Sequence, residues 1–394
     1  MRPVRRGNKG RRPSGTLSQV WRKGLCPPFR RTFEEKSGLH RFLQRMRRML
    51  PLTRPFLTLG IESSCDDTSL ALLEGPRCVR SWNISSQIGT HARFGGVVPE
   101  YASRMHLEAI LPLTEDVLRS GGVTDPADCL DLIAVTRGPG LMGSLLVGVM
   151  AAKAFAQAWN VPILGVNHLE GHIYANMVDH DDLEFPFLCM VVSGGHTEIV
   201  LAKSAGEFVV LGTTQDDAAG EAFDKVAKVL GLPYPGGPVI DKLAQRGDAR
   251  AFRFPDTART VEGLNFSFSG LKTAAMNQIN SMKLKGAAIP VEDFCASFRE
   301  AVVGTLLTRL RQAAALTGVR RVAISGGVAA NSRFRQAVAE ENDWEAFLPS
   351  KMFCTDNGVM VAAAGYAAWQ TGRRGGIDLS PDPTLDLGED GAGT

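Results

Sequence analysis

Two stretches of this chain follow one plan, and that repetition limits the fold more than any other feature. FLTLGIESSCDDTSLALLEG, residues 56–75, runs apolar, breaks into small and polar residues, and runs apolar again; FLCMVVSGGHTEIVLAKS, residues 187–204, does the same. Apolar runs of this length bounded by turn residues read as strands, so each stretch predicts strand, tight loop, strand. Thr68 and Thr197 follow the two loops and lie 129 positions apart, a signal of two lobes of common design.

The segments between them alternate. VVPEYASRMHLEAILPLTEDVLRSGG predicts a long helix stopped by Gly121 and Gly122. DLIAVTRGPG predicts a strand ending in a glycine loop, LMGSLLVGVMAAKAFAQAWN a buried helix, and VPILGVNH a strand. In the second half, AAGEAFDKVAKVLG, VEDFCASFREAVVGTLLTRLRQAAALTG and AANSRFRQAVAEE predict helices around the strand RRVAISGG. Strands alternating with helices give an α/β class. The expected division is a lobe over 56–185 with 350–372 returning to it, a second lobe over 186–349, and a mobile Gly-, Pro- and Asp-rich tail over 373–394.

The 394 residues carry a formal net charge of +3, which hides an asymmetry. Residues 1–55 hold 16 Lys and Arg against two acids, Glu34 and Glu35, so the leader is near +14 and the rest near −11. A basic, acid-poor leader reads as a transit peptide, with a nucleic-acid arm or an unstructured tail as alternatives. It has no apolar run long enough to span a membrane. The seven cysteines are irregularly spaced with no C-x-x-C, which argues against a disulfide framework or thiolate zinc cage and for a reducing compartment.

Three glycine loops follow predicted strands: VVSGGHT, AISGGVAAN and VTRGPGLMGS. Glycine lets backbone approach a ligand and lets amides converge on an anion. Each alone is an ordinary tight turn; three at strand ends favour a nucleotide-like ligand. None has the P-loop pattern, and none is a dinucleotide fingerprint. In IESSCDDTS, Asp66 and Asp67 can hold a metal, act as a base or merely cap a turn. In CTDNGVMVAAAGYAAW, one of Asp356 and Asn357 serves as helix N-cap, leaving the other available.

His168 and His172 in VNHLEGHIYAN share a face if helical. The motif is not H-E-x-x-H: Glu170 sits one place late, about 100° around the helix from a metallopeptidase base. The pair can be structural. A metal there needs a third ligand, for which Asp356 is the best candidate, and an open position if it is catalytic. A His/His/carboxylate set suits iron or zinc. His196, inside a glycine loop, is better placed to touch a ligand.

GIESSCDDTS, NHLEGH, VVSGGHT, DDAAGEAFDKVAKVLGLPYPGGP, FSFSGLKT, ISGGVAAN and CTDNG occur in that order. Together they resemble the transferases that make N6-threonylcarbamoyladenosine in tRNA, from about residue 56 to 369. The resemblance implies an actin-like, Hsp70-like (ASKHA) fold, two duplicated lobes with a nucleotide cleft between them. It implies transfer of threonylcarbamoyl from threonylcarbamoyl-AMP, made by a separate synthase, to the adenosine 3′ of the anticodon in tRNAs reading codons that begin with A. It assigns His168, His172 and Asp356 to one divalent ion, iron or zinc. Val191, Val192, Ser193, Gly194 and Gly195 would line the adenylate, with Asp224, Gly237, Asp241 and Asn331 on the nucleotide and Asp66 as a general base or an acid on the tRNA side. Archaeal and eukaryotic cytosolic members place a metal-binding tyrosine where this chain has Val191, so it is similar to the bacterial and mitochondrial type. With the basic leader, this implies a homodimer in the mitochondrial matrix, not associated with the membrane. A metalloendopeptidase and an actin-like ATPase or kinase are the rivals. An acidic body needs local basic patches to hold RNA, and MKLKG, TGVRR and RRG are the candidates.

Overall fold

The computed structural model describes residues 54–259 and 261–388. The candidate leader lies outside them apart from its last two residues, of which Arg54 forks onto the carboxylate of Asp131 at 2.7 and 3.0 Å.

The first lobe opens on an antiparallel meander, β1 (Leu57–Glu62), β2 (Asp67–Glu74) and β3 (Cys78–Ser86). Helix α1 (Pro99–Ser120), β4 (Leu132–Gly138), α2 (Met142–Trp159) and β5 (Ile163–Asn167) follow. The sheet order is β3-β2-β1-β4-β5, with β4 and β5 parallel to β1. Helix α3 (His168–Asp179) leads to the second lobe.

The second lobe repeats the design. β6 (Phe187–Val192), β7 (Thr197–Ser204) and β8 (Glu207–Thr213) form the meander. Helices α4 (Ala219–Leu230), α5 (Gly236–Ala244), α6 (Ser269–Leu284) and α7 (Val291–Thr317) precede β9 (Arg321–Ser325), α8 (Ser332–Ala339) and β10 (Glu345–Phe347). The order β10-β9-β6-β7-β8, with β9 and β10 parallel to β6, matches the first sheet strand for strand. The third strand of each meander escapes sequence reading because it is an edge: β3 and β8 are mostly half-exposed, so no apolar run marks them.

The last helix, α9 (Gly358–Gln370), returns to the first lobe and packs on β1, β2 and β4. Its approach is close because glycine lines it. A Cβ on Gly60 would fall 2.1 Å from the Gly358 carbonyl oxygen, and one on Gly365 would fall 2.3 Å from the Ala134 side chain. This seating carries Asp356, two residues before α9, to the first turn of α3. Helix α2 is long and apolar enough by composition to cross a membrane; Leu145, Val149, Ala152 and Phe155 are buried on the first sheet, and Met142, Leu146 and Met150 face outward.

Two expectations change. As far as residue 388 the segment after Arg373 is not loose: Leu385 is buried, and backbone bonds join Asp382 to Arg137 and Gly140 to Pro383. Among the described residues, Cys65, Cys129, Cys189, Cys295 and Cys354 are free thiols. In the RRG stretch, Arg373 grips buried Glu170 at 2.8 Å and Arg374 lies over the Trp369 ring, 3.8 Å from its centroid. The Arg373 guanidinium is committed to this pair, whereas Arg374 stays exposed.

Candidate metal centre and adenylate cleft

Helix α3 begins at His168 because Asn167, still extended, accepts the Leu169 N–H on its side-chain oxygen, an N-cap. His168 and His172 then fall one turn apart on the face toward α9, ring centroids 4.7 Å apart. Asn357 caps α9 by accepting the Met360 N–H, which leaves Asp356 free to turn inward. Its Oδ1 lies 3.5 Å from His168 Nε2 and 3.3 Å from His172 Nε2. One ligand atom from each of the three residues lies within 4.8 Å of the others.

The donor set fits a divalent ion. His172 Nε2 is buried, and although Asp356 Oδ1 lies 3.3 Å away the pair is not aligned as a hydrogen bond, which costs free energy unless something else occupies it. The pocket also favours positive charge. Burial would lower the His168 pKa, but Asp356 and then Glu62 outweigh it and push it up to about 9. Burial would raise Asp356, yet His168 and then His172 beside it hold it far below the usual carboxylate range. A proton held this way marks a site that a cation can take by displacing it.

Glu62 completes the centre and was missed from sequence. It is fully buried at the end of β1 and accepts from His168 Nδ1 at 3.1 Å, the Thr136 hydroxyl at 2.7 Å and the Ser64 N–H at 2.5 Å. Burial raises its pKa, but the His168 charge and hydrogen bond lower it more. A carboxylate on Nδ1 fixes the tautomer that leaves Nε2 for a metal. The signal was present: an acid ending an otherwise apolar strand.

The second sheet supplies the other wall. Val191 and Val192 are buried in β6. The turn Ser193–His196 is closed by Ser193 N–H to the His196 carbonyl at 2.8 Å and His196 N–H to the Ser193 hydroxyl at 3.1 Å. Open space lies above Gly194 and Gly195, whereas a Cβ on Gly220 of α4 would fall 2.5 Å from the Ser193 carbonyl oxygen. The turn is thus backed by a helix and bare in front. His196 lies 6.3 Å from His168, ring to ring, and burial with the neighbouring imidazoles pushes it down to about 4. It is neutral at physiological pH.

Asp224 and Gly237 come together. The carboxylate accepts the Gly236 N–H at 2.6 Å and also that of Gly237, holding the YPGG turn at the start of α5. Asp241 and Asn331 meet around Ser332. Asp241 takes Arg299 at 2.9 Å and the Ser332 N–H and hydroxyl at 3.0 and 2.8 Å, while Asn331 caps α8 through the Arg333 and Phe334 N–H groups. Asp66 lies where Asp356, Asp224 and Tyr234 all feel its charge, so it faces both the metal centre and the nucleotide wall; burial raises its pKa. Glu170 is removed from this space by its two-pronged pairing with Arg373 at 2.8 and 3.2 Å. The peptidase reading therefore has no base.

Residues 78–363 match the family TsaD, tRNA N6-adenosine threonylcarbamoyltransferase. The tRNA N6-adenosine threonylcarbamoyltransferase of Anaeromyxobacter sp. (strain Fw109-5) is 51% identical over 336 residues, covering 84% of this chain and 99% of that protein. That of Clostridium botulinum (strain 657 / Type Ba4) is 48% identical over 334 residues, covering 84% and 98%. Among solved structures, HypF of T. kodakarensis superposes with a TM-score of 0.54 at 16% identity, over 82% of this chain and 49% of that one. Full-length HypF in its phosphate- and nucleotide-bound form gives 0.52 at 15%, over 81% and 46%. These two bear on the fold alone, which is actin-like. The chain belongs to the tRNA N6-adenosine threonylcarbamoyltransferases, and its reaction is the transfer of threonylcarbamoyl to tRNA adenosine.

Proposed function

We propose that the transfer runs in the cleft between the sheets, assisted by one divalent ion, iron or zinc, held by His168, His172 and Asp356. The observation that carries this is the convergence of those three donors beside the Ser193–His196 turn, with an orphaned Nε2 among them. When bound, the ion supplies Lewis-acid polarisation and a template for the threonylcarbamoyl group. Val191 offers no ligand, so substrate or water completes the coordination.

The remaining work falls to the chain. The exocyclic N6 amine is a weak nucleophile, so the leaving AMP must be held and the proton removed. Amides at Gly194 and Gly195, open above their Cα atoms, receive the phosphate. Asn331 and the Asp224-held turn at Gly237 border the nucleotide. Asp241 already accepts three hydrogen bonds, so a ribose hydroxyl would use its last lone pair. Asp66, its pKa raised by burial, takes the N6 proton. Neutral His196 is a hydrogen-bonding partner for the carbamoyl group.

The same reading places the enzyme in the mitochondrial matrix, delivered by the basic leader and fed by a separate adenylate synthase. It acts as a homodimer. Tyr101, Leu107 and Leu111 on α1 and Met142, Leu146 and Met150 on α2 are 46–67% exposed, and adjacent helices with apolar outer faces fit a second copy. The test is to incubate the purified protein with threonylcarbamoyl-adenylate and unmodified tRNA and analyse nucleosides by mass spectrometry. The modified adenosine should form with the wild type and not with His168→Ala; a His168→Ala enzyme working at the wild-type rate refutes the metal role.

A further inference from the structure

The segment after α9 crosses both lobes. It starts under β5, where a Cβ on Gly375 would fall 2.6 Å from the Ile163 carbonyl oxygen, and Leu379 covers Gly165. It then runs over the end of β4. The Asp382 N–H donates to the Arg137 carbonyl at 2.7 Å, and the Asp382 oxygen lies where a Cβ on Gly138 would be, at 1.8 Å. Only glycine fits under it. Leu385 is buried, Leu387 packs into the core shared by the two sheets, and Gly388 passes β8, where a Cβ on it would lie 3.8 Å from the Phe208 carbonyl oxygen.

Between those anchors the segment meets one buried side chain. Asn167 Nδ2 donates to the carbonyls of Leu385 and Asp386 at 3.3 and 3.1 Å, while its Oδ1 caps α3 at Leu169. All of the amide's strong donors are spent on the segment and its acceptor on the helix. Asn167 has no freedom to rotate without breaking one set, and the next residue is His168.

We infer that residues 375–388 are a strap that holds α3 in register through Asn167, making Asn167 and the strap positioning elements for the two histidines. The strap is anchored on both sheets, so the register it sets is relative to both walls of the cleft. A metal ligand displaced by a fraction of an ångström loses affinity, and partners behind a ligand commonly contribute tenfold or more. The inference rests on the reading of His168, His172 and Asp356 as ligands.

The discriminating change is Asn167→Asp. It keeps the oxygen that caps Leu169 but turns a carboxylate oxygen toward two carbonyls. Leu385→Ala loosens the strap without touching α3. Each full-length protein is stripped of metal and titrated with Co2+ by its visible spectrum, and tRNA modification is measured at saturating adenylate over a range of tRNA concentrations. Both variants should bind Co2+ at least tenfold more weakly and lower kcat with KM for tRNA unchanged. A role in helix capping alone predicts a wild-type Asn167→Asp. Should Asn167→Asp not fold, Leu385→Ala carries the same reading. Variants with wild-type Co2+ affinity and kcat overturn the strap inference; a wild type that takes up no Co2+ overturns the ligand reading and the inference with it.

Discussion

Replacing Glu62 with Gln tests how the centre holds positive charge. In the metal-free protein His168 is lifted from 6.5 to about 9, against the pull of burial, by Asp356 first and Glu62 second. A change of that size is worth ~3 kcal/mol between protonation states. The folded pKa is above the unfolded one, so this stability is fully present below about pH 6.5 and disappears as pH rises through about 9. Glu62→Gln is isosteric and removes the Glu62 charge from that pair, a loss on the order of 1 kcal/mol. Urea unfolding of chelated wild type and variant, at steps from pH 6 to 9.5, measures it. Asp67 and Glu198, lifted chiefly by burial to about 6 and about 7, add the same slope to both proteins, so only the difference counts. The wild type should lose about 1 kcal/mol more than the variant across this range. Parallel curves would show that Glu62 does not hold the His168 proton and refute the reasoning. Zinc affinity should also fall about tenfold in the variant.

Other perturbations have distinct signatures. Arg373→Ala strands a carboxylate that is 3% exposed, so the protein should lose about 3–5 kcal/mol, read as a lower urea midpoint; an unchanged midpoint contradicts a structural pair. Glu170→Gln should leave tRNA modification per folded molecule within a few-fold of wild type, since Glu170 faces Arg373 and not the cleft. Gly220→Ala pushes a methyl against the Ser193 carbonyl and should raise KM for the adenylate several-fold by displacing the turn; an unaltered KM means that turn does not contact it. Leu107→Asp with Leu111→Asp should yield a monomer by light scattering, and a persistent dimer removes the α1–α2 face as the interface.

The architecture was legible where burial leaves a period. β1, β2, β4, β5, β6 and β9 are almost wholly buried, and they read as apolar runs. β3, β8 and the three-residue β10 did not, because these edges keep residues in water, unlike the edge strand β5, which is wholly buried. The tail misled for a related reason: its Gly, Pro and Asp residues suit a mobile segment equally well, and only the glycines it covers at 138 and 165, far away in sequence, accommodate it.

The site divides similarly. Local order alone determined the histidine spacing, the glycine turns and that one of Asp356 and Asn357 caps a helix, though not which. These depend on contacts within a few residues, where helical pitch and turn chemistry decide the outcome. The joining of His168 to Glu62, 106 positions away, and to Asp356 required two sheets to form and α9 to lie down on glycines. So did the pairing that takes Glu170 out of the chemistry and the clasp of Asn167 by the chain's last described turns. No period or spacing encodes such meetings, because they arise from packing whole elements against one another, and packing is settled only when the chain is folded.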